Sequence, residues 1–202
     1  MAAGKKIALV TCSTRGRRLN PFITSYVQQV VAPLWPSITI ETLDLASPRL
    51  PLFDEPTTPA QHPHDDPTPH YAREHTRAWS AAVRQYDGFI FVTPQYNWSV
   101  PASLKNALDY LFHEWKGKPA GIVSYGSRGG GKSASHLRDI LHGLRMKPAP
   151  SAPGLTTTLD MVGLCEELGS VRQEDKVRWK EAGVEEQLAS MMEEMRLELS
   201  AA

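Results

Sequence analysis

Three polar clusters in this chain each follow a short apolar run, and each has a composition suited to holding a ligand. The first, Thr11-Cys12-Ser13-Thr14-Arg15-Gly16-Arg17-Arg18, supplies hydroxyls, a flexible glycine and three guanidinium groups just ahead of a helical stretch from about Pro21 to Ala32. Hydroxyls, amides and the positive end of a helix dipole converging after a strand make an anion site, best suited to a phosphate. Arginine adds bidentate recognition; a solvated turn with a basic patch is the plainer alternative. The second cluster, Thr93 to Val100 with Pro94 and Pro101 as brackets, sets Gln95 and Asn97 amides beside Tyr96 and Trp98. Amides and backbone N–H groups can meet a ring edge while the aromatics wall a planar ligand. A rigid turn with two interface aromatics would use the same residues.

The third cluster is Gly126-Ser127-Arg128-Gly129-Gly130-Gly131-Lys132-Ser133. It satisfies the P-loop pattern G-x-x-x-x-G-K-[ST] and stands between a strand and a helix, so nucleotide binding is one reading of it. Against that reading, a P-loop enzyme needs a second strand ending in an aspartate that reaches Mg²⁺. Neither Phe89–Val92 nor Ala120–Tyr125 ends in one, and only Asp44 is a candidate. The motif also comes late, leaving little sheet to complete such a core. Metal binding by His62, His64, Asp65, Asp66 and His70 is disfavoured because these ligand types lie in a proline-broken loop with no scaffold to fix their geometry.

The elements that must position these clusters alternate along the chain. Ile7–Val10 reads as a central strand, Ser37–Leu45 as an edge strand, and Phe89–Val92 and Ala120–Tyr125 as strands buried on both faces. A last strand is expected at about Leu155–Leu159, after Pro148, Pro150 and Pro153. Helices are expected over Tyr71–Tyr86, Pro101–Trp115, Ser133–Met146 and Asp175–Leu199, with Met161–Asp175 unassigned. The methionine-rich stripe of the final helix, Met191, Met192 and Met195, is expected to pack mainly on its own sheet, with a share left for a second subunit. Residues 46–70 are proline-rich and aperiodic, the mark of a functional or mobile excursion. In an open sheet of this class, ligands sit at the carboxyl ends of the strands, where all three clusters fall.

With 202 residues, 22 Lys and Arg against 22 Asp and Glu, and 41% apolar residues, the chain suits one domain with a full core, 1–202. Its balanced charge argues against a nucleic-acid footprint or a polybasic membrane anchor, and also against an acidic electron carrier. No apolar run approaches the ~20 residues needed to span a bilayer, and the first strand leaves no room for a signal peptide, so a cytoplasmic protein is expected. Cys12 and Cys165 sit in unrelated contexts, as free thiols do. Cys12 reads as a small buried filler, although a nearby helix N-terminus could lower its pKa.

The run Pro94-Gln95-Tyr96-Asn97-Trp98-Ser99-Val100-Pro101, continuing through Leu104-Lys105-Asn106-Ala107-Leu108-Asp109, resembles the signature loop and helix of the NADPH-dependent FMN reductase family, flavodoxin-like proteins that include quinone reductases and azoreductases. Ser13-Thr14-Arg15, Arg18 and Pro21 resemble its phosphate loop, and Ser124-Tyr125-Gly126 with Gly129-Gly130 its third flavin loop. Cys12 departs from the glycine many members carry, which bears on the tightness of the turn. The resemblance implies a flavodoxin-like α/β sandwich on a five-stranded parallel sheet of order 2-1-3-4-5. It implies FMN held by Ser13, Arg15, Arg18, Pro94, Gln95, Tyr96, Asn97, Trp98, Ser124, Tyr125, Gly126, Gly129 and Gly130. Further implications are NADPH as donor, with Arg17 or Arg128 meeting its 2′-phosphate, ping-pong hydride transfer through flavin N5 with no catalytic side chain, and a quinone, azo compound or flavin as acceptor. A homodimer with Trp98, Tyr110 or Trp115 near its boundary completes the picture. A flavin supplier and a non-catalytic FMN-binding carrier or regulatory module are the alternatives.

Overall fold

A computed structural model describes residues 4–200. Its strands are β1 (Lys6–Thr11), β2 (Thr39–Asp44), β3 (Gly88–Pro94), β4 (Pro119–Gly126), β5 (Lys147–Pro148) and β6 (Gly154–Thr156). All pair in parallel in the order β2-β1-β3-β4-β5, with β6 also on β4. The expected order therefore holds, with the outermost strand divided. β5 pairs with the start of β4 and β6 with its end, because Pro150 and Pro153 between them have no N–H to give a ladder. That strand was expected over 155–159; the ladder stops at Thr156.

Strand alternation assigns each face of the sheet its own core. Ile7, Leu9, Ile90, Val92, Val123 and Tyr125 face α1 (Asn20–Val31), α5 (Met161–Leu168), α6 (Gln173–Glu181) and α7 (Val184–Ser200). Ala8, Val10, Phe89, Phe91, Ala120 and Ile122 face α2 (Glu74–Arg84), α3 (Ala102–Asp109) and α4 (Gly131–Gly143). Each large apolar side chain fully buried this way contributes about 1.5–3 kcal/mol.

Two expectations need correction. The helix expected to run to Trp115 stops at Asp109; the chain turns back and Trp115 is buried, its Nε1 donating to Leu108 O at 3.2 Å. The C-terminal segment is not one helix: Gly169 (φ +67) closes α5, and Gly183 (φ +74) separates α6 from α7. The apolar stripe of the C-terminal helices packs mainly on its own sheet as expected: Val184, Leu188, Met191, Met192, Met195 and Leu199 are buried, with Met191 close against Gly121 of β4, while Val177 of α6 is 43% exposed. Gly121 permits that approach, for a Cβ there would lie 2.7 Å from Met191 Sδ.

Residues 46–73 form a strap fixed to α2 and α3. Glu55 is buried and accepts the backbone N–H groups of Ala72 and Arg73, both at 2.9 Å. Asp54 accepts from Tyr110 Oη at 3.0 Å and meets His75 Nε2 at 2.9 Å, while Asn106 accepts Phe53 N and donates to Pro51 O. Buried Glu114 takes the hydroxyls of Ser80 (2.6 Å) and Tyr71 (3.2 Å). His62 packs edge-on to Tyr71, and His64 edge-on to His113.

Candidate cofactor site

The carboxyl ends of β1, β3 and β4 surround a cavity of about 450 Å³. Its walls come from the first loop (Arg15, Arg17, Arg18, Leu19), the loop after β3 (Pro94 to Asn97), the end of β4 (Tyr125, Gly126) and the segment after β6 (Thr157, Thr158, Leu159, with Val162 of α5).

The first loop is held from beneath. Asn20, fully buried, accepts Ser13 N at 2.7 Å and donates to Val92 O at 3.0 Å, tying the turn to β3. Ser13 is buried too, its Oγ 2.8 Å from Tyr96 Oη, so it joins the first loop to the loop after β3. Arg15 lies over the Tyr96 ring, 3.8 Å from its centroid. Arg18 forks onto Asp44, at 2.8 and 2.6 Å, and also donates to Ser13 O. The hydrogen bond to Asp44 raises the Arg18 pKa further, fixing a positive charge at this end. Arg17 pairs with Glu166 of α5 at 2.8 Å. Burial, reinforced by Asp44, pushes the Cys12 thiol well up, so Cys12 is a packed filler with no thiolate character.

After β3 the chain makes a two-residue hairpin. Tyr96 and Ser99 exchange N–H···O bonds at 2.9 and 3.0 Å, and both central residues, Asn97 (φ +47) and Trp98 (φ +66), are left-handed. That is a type I′ turn, unusual in carrying tryptophan where glycine is favoured. Gln95 N donates to Tyr125 O, and Gln95 Oε1 accepts Lys132 N at 3.0 Å. Its Nε2 has no protein acceptor among the described residues and remains available to a ligand. Trp98 is not in this cavity; its side chain is 66% exposed.

The glycine loop turns back on β4. Gly129 and Gly130 are both left-handed, and a Cβ on Gly130 would lie 2.8 Å from both Tyr125 N and O. Ser124 Oγ donates to Gly129 O at 2.7 Å. Ser124, Gly129 and Gly130 therefore shape the loop from behind, while Tyr125 and Gly126 face the cavity. Ser133, the residue a P-loop would offer to Mg²⁺, is fully buried and donates to Pro94 O at 3.1 Å. The P-loop pattern is thus a helix start, with its hydroxyl spent on β3.

Of the residues expected at the site, Arg15, Arg18, Pro94, Gln95, Tyr96, Asn97, Tyr125 and Gly126 converge on the cavity; Ser13, Ser124, Gly129 and Gly130 support it. Sequence reasoning did not single out Asn20 or the Thr157–Val162 wall. A signal for the wall exists in the hydroxyl run Thr156-Thr157-Thr158 directly after the last strand, and one for Asn20 in its place before Pro21 at a helix start.

The donor set suits FMN: guanidinium groups on the first loop for a phosphate, hydroxyls from Thr157 and Thr158, amides from Gln95 and Asn97, and apolar surface from Leu19, Tyr96, Tyr125 and Val162 in a cavity of cofactor size. A doubly wound parallel sheet with such a site at its switch point defines a flavodoxin-like flavin-binding protein. The family described as NADPH-dependent FMN reductase matches residues 5–158. An NAD(P)H-dependent FMN reductase of Nectria sp. is 36% identical over 196 residues, covering 95% of each chain. Another, of Schizosaccharomyces pombe, is 43% identical over 157 residues, 78% of this chain and 76% of the relative. Among solved structures, the flavoenzyme NAD(P)H:(acceptor) oxidoreductase FerB of Paracoccus denitrificans superposes with a TM-score of 0.65 at 21% identity, covering 95% of this chain and 98% of its own, a likeness of fold. The chain belongs to the NADPH-dependent FMN reductase family, flavin-dependent oxidoreductases that use FMN and NAD(P)H.

Proposed function

We propose that this protein is a two-electron reductase of planar small molecules, quinones, azo compounds or free flavins, working by a ping-pong cycle at the cavity between the first loop, Gln95 and Gly126. The observation that carries this reading is the division of the cavity wall into a cationic first loop, an amide-bearing loop after β3 and, after β6, the hydroxyl-bearing pair Thr157 and Thr158. When bound, FMN supplies the redox chemistry, taking a hydride at N5 from NAD(P)H and passing two electrons to the acceptor. The chain's own residues bind, orient and shield. Arg15 and the first-loop N–H groups hold the phosphate, with Arg18 and Asn20 fixing the loop that carries them. Gln95 Nε2, Asn97 and the Gly126 backbone border the ring edge, and Leu19, Tyr125 and Val162 exclude water around it. With FMN bound, donor and acceptor would use the same open side of the cavity in turn, which is why a ternary complex is not expected. The family resemblance further implies a homodimer. Of its three proposed boundary residues, Tyr110 and Trp115 are buried within the chain and only Trp98 is exposed.

An anaerobic spectrum before and after one equivalent of NADPH tests the core of this reading: flavin absorbance is expected to bleach, and a bound flavin that NADPH leaves oxidised would instead indicate a binding module. Parallel double-reciprocal plots are expected with a quinone acceptor, and intersecting plots would end the ping-pong scheme. Light scattering behind a sizing column is expected to give twice the mass of one chain.

A further inference from the structure

A second cavity, of about 660 Å³, shares Gln95 with the flavin cavity and is otherwise walled by Trp98, Ser127, Arg128, Gly131, Lys132 and Ser135. Gln95 ties the start of α4 through Lys132 N, but the Trp98, Arg128 and Lys132 side chains make no hydrogen bond among the described residues. Trp98 is held in a left-handed conformation that costs an ordinary residue roughly 1 kcal/mol or more, yet most of its indole faces solvent. Strain and exposure together at one aromatic point to a ligand. Beside it lie two cations, Arg128 and Lys132, neither of which has a carboxylate partner among the described residues; Lys132 Nζ stands 5.5 Å from the indole centroid. Of the arginines of the flavin cavity, by contrast, Arg17 is paired with Glu166 and Arg18 with Asp44, and Arg15, over the Tyr96 ring, is the one assigned above to the FMN phosphate. The hairpin and α4 are fixed to each other by Ser99 Oγ and His136 Nδ1 at 3.0 Å, so the indole and the cations keep their relation without a ligand.

We propose that this second cavity seats the phosphorylated adenosine half of NADPH, with the adenine on Trp98 and the 2′-phosphate between Arg128 and Lys132. This rests on the reductase reading above. A phosphate dianion needs cations not already neutralised, and an adenine needs an exposed flat surface; here both adjoin the flavin cavity through Gln95. Between the two arginines that the sequence offers for the 2′-phosphate, the ion pair of Arg17 with Glu166 leaves Arg128 as the one at liberty, and Lys132 is its second cation. The same ring would discriminate little between NADPH and NADH, so preference for NADPH resides in these two side chains.

The test uses the FMN-loaded full chain and two probes, 2′,5′-ADP and 5′-AMP, titrated calorimetrically. Wild type is expected to bind 2′,5′-ADP about tenfold or more tightly than 5′-AMP, and the Arg128→Ala/Lys132→Ala variant to bind both alike. Trp98→Leu is expected to weaken both probes together, since it removes the adenine platform and leaves the cations. In steady state the double variant is expected to raise KM for NADPH about tenfold and leave KM for NADH within twofold. Equal affinities in wild type, failure of wild type to bind 2′,5′-ADP, or equal changes for both dinucleotides would overturn the assignment. If NADPH bleaches the wild-type flavin while these results fail, only this inference falls; if NADPH does not bleach it, the reductase reading itself falls.

Discussion

The side chain on which the phosphate loop depends is Asn20, which contacts Ser13 N and Val92 O simultaneously from a fully buried position. Replacing it with alanine strands the buried Ser13 N–H, at about 1–3 kcal/mol, while Val92 O keeps its bond from Cys12 N. Asn20→Ala is therefore expected to fold with reduced stability and to bind FMN at least tenfold more weakly, by quenching of flavin fluorescence; wild-type affinity would remove Asn20 from the site. Arg15, Gln95 and Tyr96 were legible in the sequence as candidates because their types suit anion and ring recognition, and they do line one cavity. Asn20 was not, because an amide before a helix can serve many ends, and its use here is set by a strand carbonyl 72 residues away. Trp98 was legible as a ligand-facing aromatic, yet the left-handed turn aims it at the neighbouring cavity, a direction that only φ values decide.

Among the elements, the turn between β4 and α4 has the least freedom. Gly130→Ala places a methyl against the Tyr125 backbone in a left-handed residue, a conflict that no side-chain movement relieves. A loss of about 2 kcal/mol or more and of most FMN affinity is expected, while Gly131→Ala, where a Cβ meets nothing within 4 Å, is expected to match wild type. Equal denaturation midpoints for the two variants would contradict this. The strap over α2 and α3 carries a pH dependence. Burial works to raise the Glu55 pKa, but the hydrogen bonds from Arg73 N and Ala72 N, with the Thr76 hydroxyl nearby, outweigh it and hold the carboxyl below its ordinary range. With a folded pKa below the unfolded ~4.3, its contribution is complete above that value and is lost as pH falls through the folded one. The Ala72 and Arg73 amide resonances are expected to titrate with a midpoint below ~4.3, and Glu55→Gln to abolish that titration; a midpoint at or above the ordinary value would refute the sign. The sequence suggested a functional or mobile excursion here because proline suppresses periodicity; what holds it is tertiary, carboxylates reaching backbone N–H groups some 17 and 18 residues on.

At the scale of the whole molecule, Lys118 marks where the fold tolerates a cost. Its Nζ donates to Val83 O at 3.3 Å above the Phe89 ring, and burial lowers its pKa to about 8. Between that value and the unfolded ~10.4 the unfolded chain holds more protons, so stability rises as pH climbs through this window. Lys118→Met is expected to flatten the rise and to stabilise the neutral protein by on the order of 1 kcal/mol after solvent screening, read from urea midpoints at pH 7 and 10. A variant that keeps the rise would assign it to another group. The architecture was legible because central parallel strands are continuous apolar runs, and Ile7–Val10, Phe89–Val92 and Ala120–Tyr125 all became strands as expected. The split outer strand and the break at Gly183 were less so, because prolines and a single glycine act there against an apolar pattern that continues past them.

The cavity proposed for FMN is walled by residues from Arg15 to Val162, and its Thr157–Leu159 side is held in place from behind by Trp179, whose Nε1 donates to Thr156 O at 2.8 Å. A nascent chain of some 150 residues on the ribosome already possesses the phosphate loop, the hairpin and the glycine turn, but has neither the far wall nor the helices that brace it. Cofactor capture is therefore expected only once residues through Trp179 have emerged and folded, later than the three loops themselves are made.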